Sequence, residues 1–385
     1  MSKRKSDGWI SQRSDGRWNV GYGGKRTVRP TRAAALECLR EMRIKGDKTR
    51  PPKLTGTLAE CVEWWAANIL STSVKPTTLS SYYIHLRTLL HEPTDNRALT
   101  LGELQARTCK KSDVQYAVTQ MAVAQGKVHS ATVALGALSR CCEYYIGEKL
   151  LNINPCDDVR LPKMSKKQIV VEMLAYEGPE MKAILSELDR RAVNGNHIHK
   201  HWYVFVILAN TGLRIGEMLY LKWKHIDFDA RTISVEGTRN TYYSIKEEGY
   251  TTSDHDGAKT KSSTRVIPIN AVVYALLTEL RDARHPDPED YIALTTKGRP
   301  LNQGLVWAAF NRVLKNAGVE KKKRHGVHSL RHTFATRVRD LGAPIKVVSA
   351  LLGHSSVATT MNIYVHDTQD DLSQAVNRLA QDPER

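Results

Sequence analysis

The chain has 385 residues, with 57 Lys and Arg against 40 Asp and Glu, and so a formal charge of +17. Its 41% hydrophobic content excludes a disordered basic tail, and its length suits two or three domains. The positive surplus implies a polyanionic partner, nucleic acid or an acidic membrane face. Membrane insertion is not expected. The apolar run Tyr203 to Ala209 is far shorter than the roughly 20 residues of a spanning helix. The start, Met1-Ser2-Lys3-Arg4-Lys5, is basic without the apolar segment of a signal peptide, which points to the cytoplasm. The six cysteines (Cys38, Cys61, Cys109, Cys141, Cys142 and Cys156) form no CxxC pair, so reduced core thiols are expected rather than disulfides or a zinc site.

Charge is concentrated at the N-terminus. Residues 1–53 hold 15 Lys and Arg and 5 Asp and Glu, a net of +10. Gly8-Trp9-Ile10, Arg17 to Tyr22 and Arg26-Thr27-Val28 read as short strands, with Asp15-Gly16 turning between the first two. Thr31 caps a helix from Arg32 to about Ile44 that turns Ala35, Leu36 and Leu39 inward. An arginine-rich, three-stranded sheet backed by one helix suits a DNA-reading module over residues 1–53.

A Pro/Gly/Lys linker at residues 48–56 leads into a helical block, residues 54–150. Thr57 and Glu60 form a capping box, followed by Leu58, Val62, Trp65 and Ile69 on one face. Pro76 opens a helix carrying Tyr82, Leu86 and Leu89. Ser112 with Gln115 opens a third, with Val114, Val118 and Met121, and a fourth runs from about Ser130 to Ile146. Asn154-Pro155 and Leu161-Pro162 stop helices, so 151–168 reads as an extended linker.

Residues 169–385 are mixed. Pro179 starts a helix with Met181, Ile184, Leu185 and Leu188, and Trp202 to Asn210 is apolar on all sides, as a buried helix is. Strands follow at Arg231–Glu236 and Arg265–Ile269, and Asn270 caps a helix through Leu280. Helices dominate thereafter. The fold class expected is multidomain α+β: a small sheet-plus-helix module, an all-helical domain, and a mainly helical domain with a small antiparallel sheet.

Four segments of this last block set polar groups among apolar ones. In Thr211-Gly212-Leu213-Arg214-Ile215-Gly216-Glu217, Glu217 lies three residues beyond Arg214, within reach of the same helix face. In His328-Ser329-Leu330-Arg331-His332, His328 and Arg331 share a face. His328 and His332 have metal-pair spacing, but the intervening glutamate is missing and Arg331 is a poor neighbour for a cation. In Leu351-Leu352-Gly353-His354-Ser355-Ser356, Gly353 ends a helix and a serine caps the next. The fourth segment is Met361-Asn362-Ile363-Tyr364. Asp227 and Asp229 read as turn residues, and His197, His199 and His201 as solvated histidines on a Gly/Asn loop.

Together and in this order, the four segments resemble the tyrosine recombinase (phage integrase) family, strongly over about residues 170–366. The signature matches are Arg214, His328 with Arg331, His354 and Tyr364. The resemblance implies a core-site-binding role for the helical block and an arm-site-binding role for residues 1–53. It also implies a catalytic lysine from a hairpin before the basic strand Arg265-Val266-Ile267-Pro268. Lys259 fits that position, with Lys261 as the alternative two residues on. The connection 237–264 is long for a hairpin.

The residue types suit phosphoryl chemistry. Two arginine forks, Arg214 and Arg331, can bind non-bridging oxygens and stabilise charge building at phosphorus. His328 can take the proton of the Tyr364 phenol. The resemblance implies a 3′-phosphotyrosine, Lys259 as proton donor to the leaving oxygen, and His354 on the phosphate, with Glu217 positioning Arg214. A covalent intermediate conserves bond energy, so neither ATP nor metal is expected, and no phosphate-loop motif is present. The resemblance further implies double-stranded DNA as partner, a tetramer on DNA, a Holliday junction, integration and excision of a mobile element, and accessory excisionase and DNA-bending proteins. Leu372, Val376 and Leu379 mark an amphipathic tail. The resemblance favours its packing on a neighbouring protomer; folding back in cis is the alternative. A type IB topoisomerase and a DNA-binding regulator with a decayed site are the competing readings.

Overall fold

In the computed structural model the described residues are 9–22, 25–36, 38–39, 56–95, 98–161, 175–256, 264–320 and 326–353. Near the N-terminus β1 (Trp9–Gln12), β2 (Trp18–Tyr22) and β3 (Lys25–Arg29) form an antiparallel sheet in chain order. Gly16, at φ +81°, makes the first turn. Thr31 Oγ1 accepts from the Ala34 N–H at 3.2 Å and starts the backing helix. Ala35 and Leu39 point inward onto Val20 as expected, but Leu36 is 47% exposed and Cys38 fills its place. A helix over a three-stranded sheet has too narrow an apolar stripe for both 35 and 36.

The chain divides into two compact units, Met1–Met164 with Tyr242–Gly249, and Ser165–Thr241 with Tyr250–Arg385. In the first, the Thr57–Glu60 capping box opens the helix Leu58–Trp65, and Pro76 opens Pro76–Leu90. The third helix, Lys111–Thr119, starts earlier than the sequence suggests, because Asp113 rather than Gln115 reaches back, to the Lys110 N–H at 3.0 Å. Gln115 instead pairs twice with the backbone of Arg160, at 2.8 Å each way. Val128–Gly147 is the fourth long helix. Residues 151–161 are irregular and lie against this core, with Cys156 buried and Leu151, Val159 and Leu161 half-buried. At Tyr242–Gly249, Tyr243 stacks on Tyr83 and its N–H donates to Ser80 Oγ at 2.9 Å. All six cysteines are free thiols, five of them buried.

In the second unit, Trp202–Thr211 is the central helix, buried on nearly every side among Gly178–Asp189, Ala271–Arg284, Gln303–Asn316 and Val327–Asp340. β4 (Ile226–Asp227), β5 (Thr232–Val235) and β8 (Arg265–Pro268) form an antiparallel sheet at its edge. Asp227 Oδ1 accepts from the Ala230 N–H at 2.8 Å, the turn role expected of it. Within the connection 237–264, residues 237–256 contain a two-stranded ribbon, β6 (Gly237–Ser244) with β7 (Gly249–Asp256), which accounts for much of its length.

The histidine trio is not solvated. The loop folds back on Gly178–Asp189 through Ile198 N–H to Arg190 O at 3.1 Å. His197 consequently stacks on Trp202 at 3.6 Å between ring centroids, and His199 meets Glu187 at 2.7 Å in a buried pair. Among the described residues no helix is long and apolar enough to cross a membrane.

Candidate active site

The helix Trp202–Thr211 ends at Gly212, whose φ is +64°. A Cβ at Gly212 would strike the Phe334 ring, so both the backbone conformation and the space demand glycine. Thr211 Oγ1 donates to Ile207 O at 2.7 Å and accepts from the Leu213 N–H at 3.4 Å, closing the helix end. This turn delivers Arg214 as the N-cap of the helix Ile215–Tyr220. Glu217 occupies the third position of that helix, from which a carboxylate reaches back over the cap. Its Oε2 accepts from the Arg214 N–H at 2.9 Å and its Oε1 from Arg214 Nη1 at 2.8 Å. The expected reach between Arg214 and Glu217 is thus realised through two bonds.

A second arginine closes on the same carboxylate. Arg265 opens β8 opposite Val235, and its fork meets Glu217 at 3.1 Å (Nη1 to Oε1) and 2.9 Å (Nη2 to Oε2). Both side chains are 8% exposed. Burial pushes the Glu217 carboxyl up, but the hydrogen bond and charge of Arg265, then the backbone N–H and charge of Arg214, outweigh it and hold the group below the usual carboxylate range.

His328, Arg331 and His332 lie on the helix Val327–Asp340. Arg331 is 3% exposed. Its Nη1 donates to Gly212 O at 2.7 Å and its Nη2 to Leu352 O at 2.6 Å. His328, half-buried one turn before Arg331, meets the His332 ring edge-on at 5.1 Å between centroids. The i,i+4 spacing of these histidines therefore serves ring packing. Burial first, and the Arg331 charge second, pull the His332 pKa down. Among the described residues no group of three His, Cys, Asp or Glu is arranged to hold a metal.

These motifs converge on the end of the helix Ile345–Leu352. Three consecutive carbonyls there accept from three arginines on three other elements: Leu351 from Arg265 Nε at 2.8 Å, Leu352 from Arg331 at 2.6 Å, and Gly353 from Arg214 Nη2 at 3.4 Å. The last carbonyls of a helix lack intrahelical partners and carry the negative end of its dipole, so this end gathers cations. Gly353, the C-cap of this helix, has a left-handed φ of +64°. A Cβ there would sit 2.9 Å from the Arg265 side chain.

Of the residues singled out in the sequence, Arg214 and Arg331 come together at the 352–353 carbonyls, with His328 on the Arg331 helix. Lys259, Lys261, His354, Tyr364 and the tail beyond them lie outside the described residues. Arg265 was not singled out: one arginine at the start of a strand has no spacing signal, and its role shows only in its partners.

A family model for the phage integrase family matches residues 177–370, just over half of the chain. The chain belongs to the phage integrase family. These are tyrosine recombinases, enzymes that cleave and rejoin DNA. A tyrosine recombinase XerC-like protein of Caldanaerobacter subterraneus is 28% identical over 341 residues, covering 84% of this chain and 82% of the relative. The integrase of Staphylococcus phage L54a is 25% identical over 345 residues, covering 82% and 91%. Among solved structures, the Tn1549 transposon integrase in complex with transposon right end DNA aligns with a TM-score of 0.61 at 25% identity, over 84% of this chain and 99% of that one. A lambda integrase tetramer bound to a Holliday junction shares the fold, with a TM-score of 0.56 at 18% identity over 90% and 95%. The mainly helical fold with small antiparallel sheets is that of these integrases.

Proposed function

We propose that this integrase-family chain is a site-specific recombinase that integrates and excises a mobile element, acting on double-stranded DNA as a tetramer through a 3′-phosphotyrosine and a Holliday junction. The observation that carries the reading is the meeting of Arg214 and Arg331 on the adjacent carbonyls of Gly353 and Leu352, immediately before His354 in the chain. Two guanidinium groups so held address the non-bridging oxygens of one phosphodiester. Charge that builds on those oxygens in the transition state meets donors already in place, with no reorganisation at the moment of reaction.

The Tyr364 phenol attacks phosphorus. The new bond joins its oxygen to phosphorus and the broken bond releases the 5′ oxygen. At pH 7 a phenol of pKa about 10 is only about one part in a thousand ionised, a cost of about 4 kcal/mol. The cationic surroundings lower that cost and His328 takes the proton. Lys259 gives a proton to the departing 5′ oxygen, and His354 hydrogen-bonds the phosphate. The reverse attack by a 5′-hydroxyl from the partner strand rejoins the DNA without ATP, since the phosphotyrosine keeps the bond energy. Residues 1–53, with a net charge of +10, hold a second DNA segment, and tethering raises the local concentration of both sites.

The test is a two-site joining assay with the element's attachment sites, run beside relaxation of a supercoiled plasmid lacking them. Joining of two sites supports the recombinase reading. Relaxation without joining assigns the chain a topoisomerase role instead.

A further inference from the structure

The three charges around Glu217 do not cancel. Arg214 and Arg265 supply two positive charges and Glu217 one negative, in a cluster where Arg265 and Glu217 are buried and Arg214 is 38% exposed at its side chain. The geometry divides the work. Arg265 takes the carboxylate with both terminal nitrogens and fixes its own Nε on Leu351 O. Arg214 gives the same carboxylate one side-chain N–H and its backbone N–H. We infer that Arg265 is a positioning residue for DNA cleavage: it neutralises Glu217, so that Glu217 orients Arg214 without cancelling the charge Arg214 offers to phosphate. This rests on the reading of Arg214 as a phosphate ligand.

Without Arg265, the buried carboxylate has Arg214 as its one remaining charged partner among the described residues. An unscreened carboxylate in low dielectric pulls a guanidinium strongly. Arg214 would then be held as a neutral pair, and the cluster around Glu217 would lose its surplus positive charge. The Leu351 carbonyl would also lose its donor, loosening the turn that leads to His354. Gly353 has no Cβ, and one placed there would sit 2.9 Å from the Arg265 side chain, so the glycine leaves that side chain its room.

The inference predicts a rescue. In single-turnover covalent cleavage of a nicked core-site DNA, at saturating DNA and with the full chain, Arg265→Gln slows the reaction about 100-fold. Half-saturation by DNA shifts less than threefold. Adding Glu217→Gln to that variant removes the competing carboxylate while keeping an acceptor for Arg214, and recovers at least tenfold. A merely structural arginine gives the opposite, since a second lesion in one buried cluster slows the enzyme further. A double variant no faster than Arg265→Gln, or an Arg265→Gln enzyme as fast as the parent, overturns the inference. Should Arg265→Gln fail to fold, Arg265→Lys decides. It keeps the charge and loses the fork, so it stays within tenfold of the parent if charge balance is the role; a 100-fold loss in that folded variant overturns it. A parent chain that forms no adduct fails the recombinase reading and this inference with it, whereas an active parent beside an insensitive Arg265→Gln overturns the inference alone.

Discussion

Arg331 Nη2 donates to the carbonyl oxygen of Leu352 at 2.6 Å, joining two motifs that stand 21 residues apart. The same guanidinium donates to Gly212 O at 2.7 Å and so reaches the turn that carries Arg214. One buried side chain thereby ties together three of the segments whose order marked this family in the sequence.

Arg331 and Arg214 are expected to differ in stability and agree in activity. Arg331→Met leaves the Gly212 and Leu352 carbonyls without these donors in a buried site, at about 1–3 kcal/mol each. Arg214→Met leaves Glu217 still clasped by Arg265, so its cost is about 1 kcal/mol or less. Each variant slows covalent cleavage by roughly 10²–10³, the usual loss for one donor to a developing oxyanion. Thermal melts and adduct formation measure the two effects separately.

Glu217 makes stability acid-sensitive. Its carboxyl is held below the ordinary value of 4.5 in the folded state. The unfolded chain therefore binds the proton first as pH falls. The contribution is fully present above about pH 4.5 and is lost as pH drops through the depressed folded value. Glu217→Gln leaves two arginines without a counter-charge, so it lowers Tm at pH 7, and its gap from the parent narrows below about pH 4.5. A gap independent of pH between 3 and 7 contradicts this account of the cluster.

Gly212→Ala is expected to be costly for two reasons that a control separates. The left-handed backbone alone costs about 1–2 kcal/mol with a side chain. Gly342 has φ +92° but nothing near its missing Cβ, whereas Gly212 faces Phe334. Gly212→Ala therefore lowers Tm more than Gly342→Ala does, and it alone slows cleavage, because it shifts the turn that holds Arg214.

Deleting residues 1–53 is expected to abolish binding to the second DNA segment and to spare covalent cleavage at a core site. The small core of this module, Val20 with Ala35, Cys38 and Leu39, is its own. Gel-shift and adduct assays on the truncated chain read the two activities. Equal loss of both means the module is not separable.

Much of this was legible in the sequence because the signals were local. The Thr57–Glu60 box, Pro76, the mostly apolar Trp202–Thr211 helix and Asn270 as a cap each announce themselves in local chain. The site's ordering logic was not. Glu217 was readable as a partner of Arg214 three residues away, but Arg265 joins it across 48 residues, and no periodicity reports such a contact. The histidines at 197, 199 and 201 misled for the same reason: a polar loop reads as solvated until Glu187 and Trp202 are seen beneath it. Ser112 and Gln115 formed a plausible cap, yet Asp113 outcompeted it with a charged acceptor two residues earlier.

The most direct test of the central claim is to trap the full chain on a nicked suicide DNA carrying one core site, digest the adduct, and map the modified residue by mass spectrometry. The account predicts a 3′-phosphate on Tyr364, lost in Tyr364→Phe and strongly reduced in Arg214→Met and Arg331→Met. An adduct on another residue, or one that persists undiminished when either arginine is removed, contradicts it.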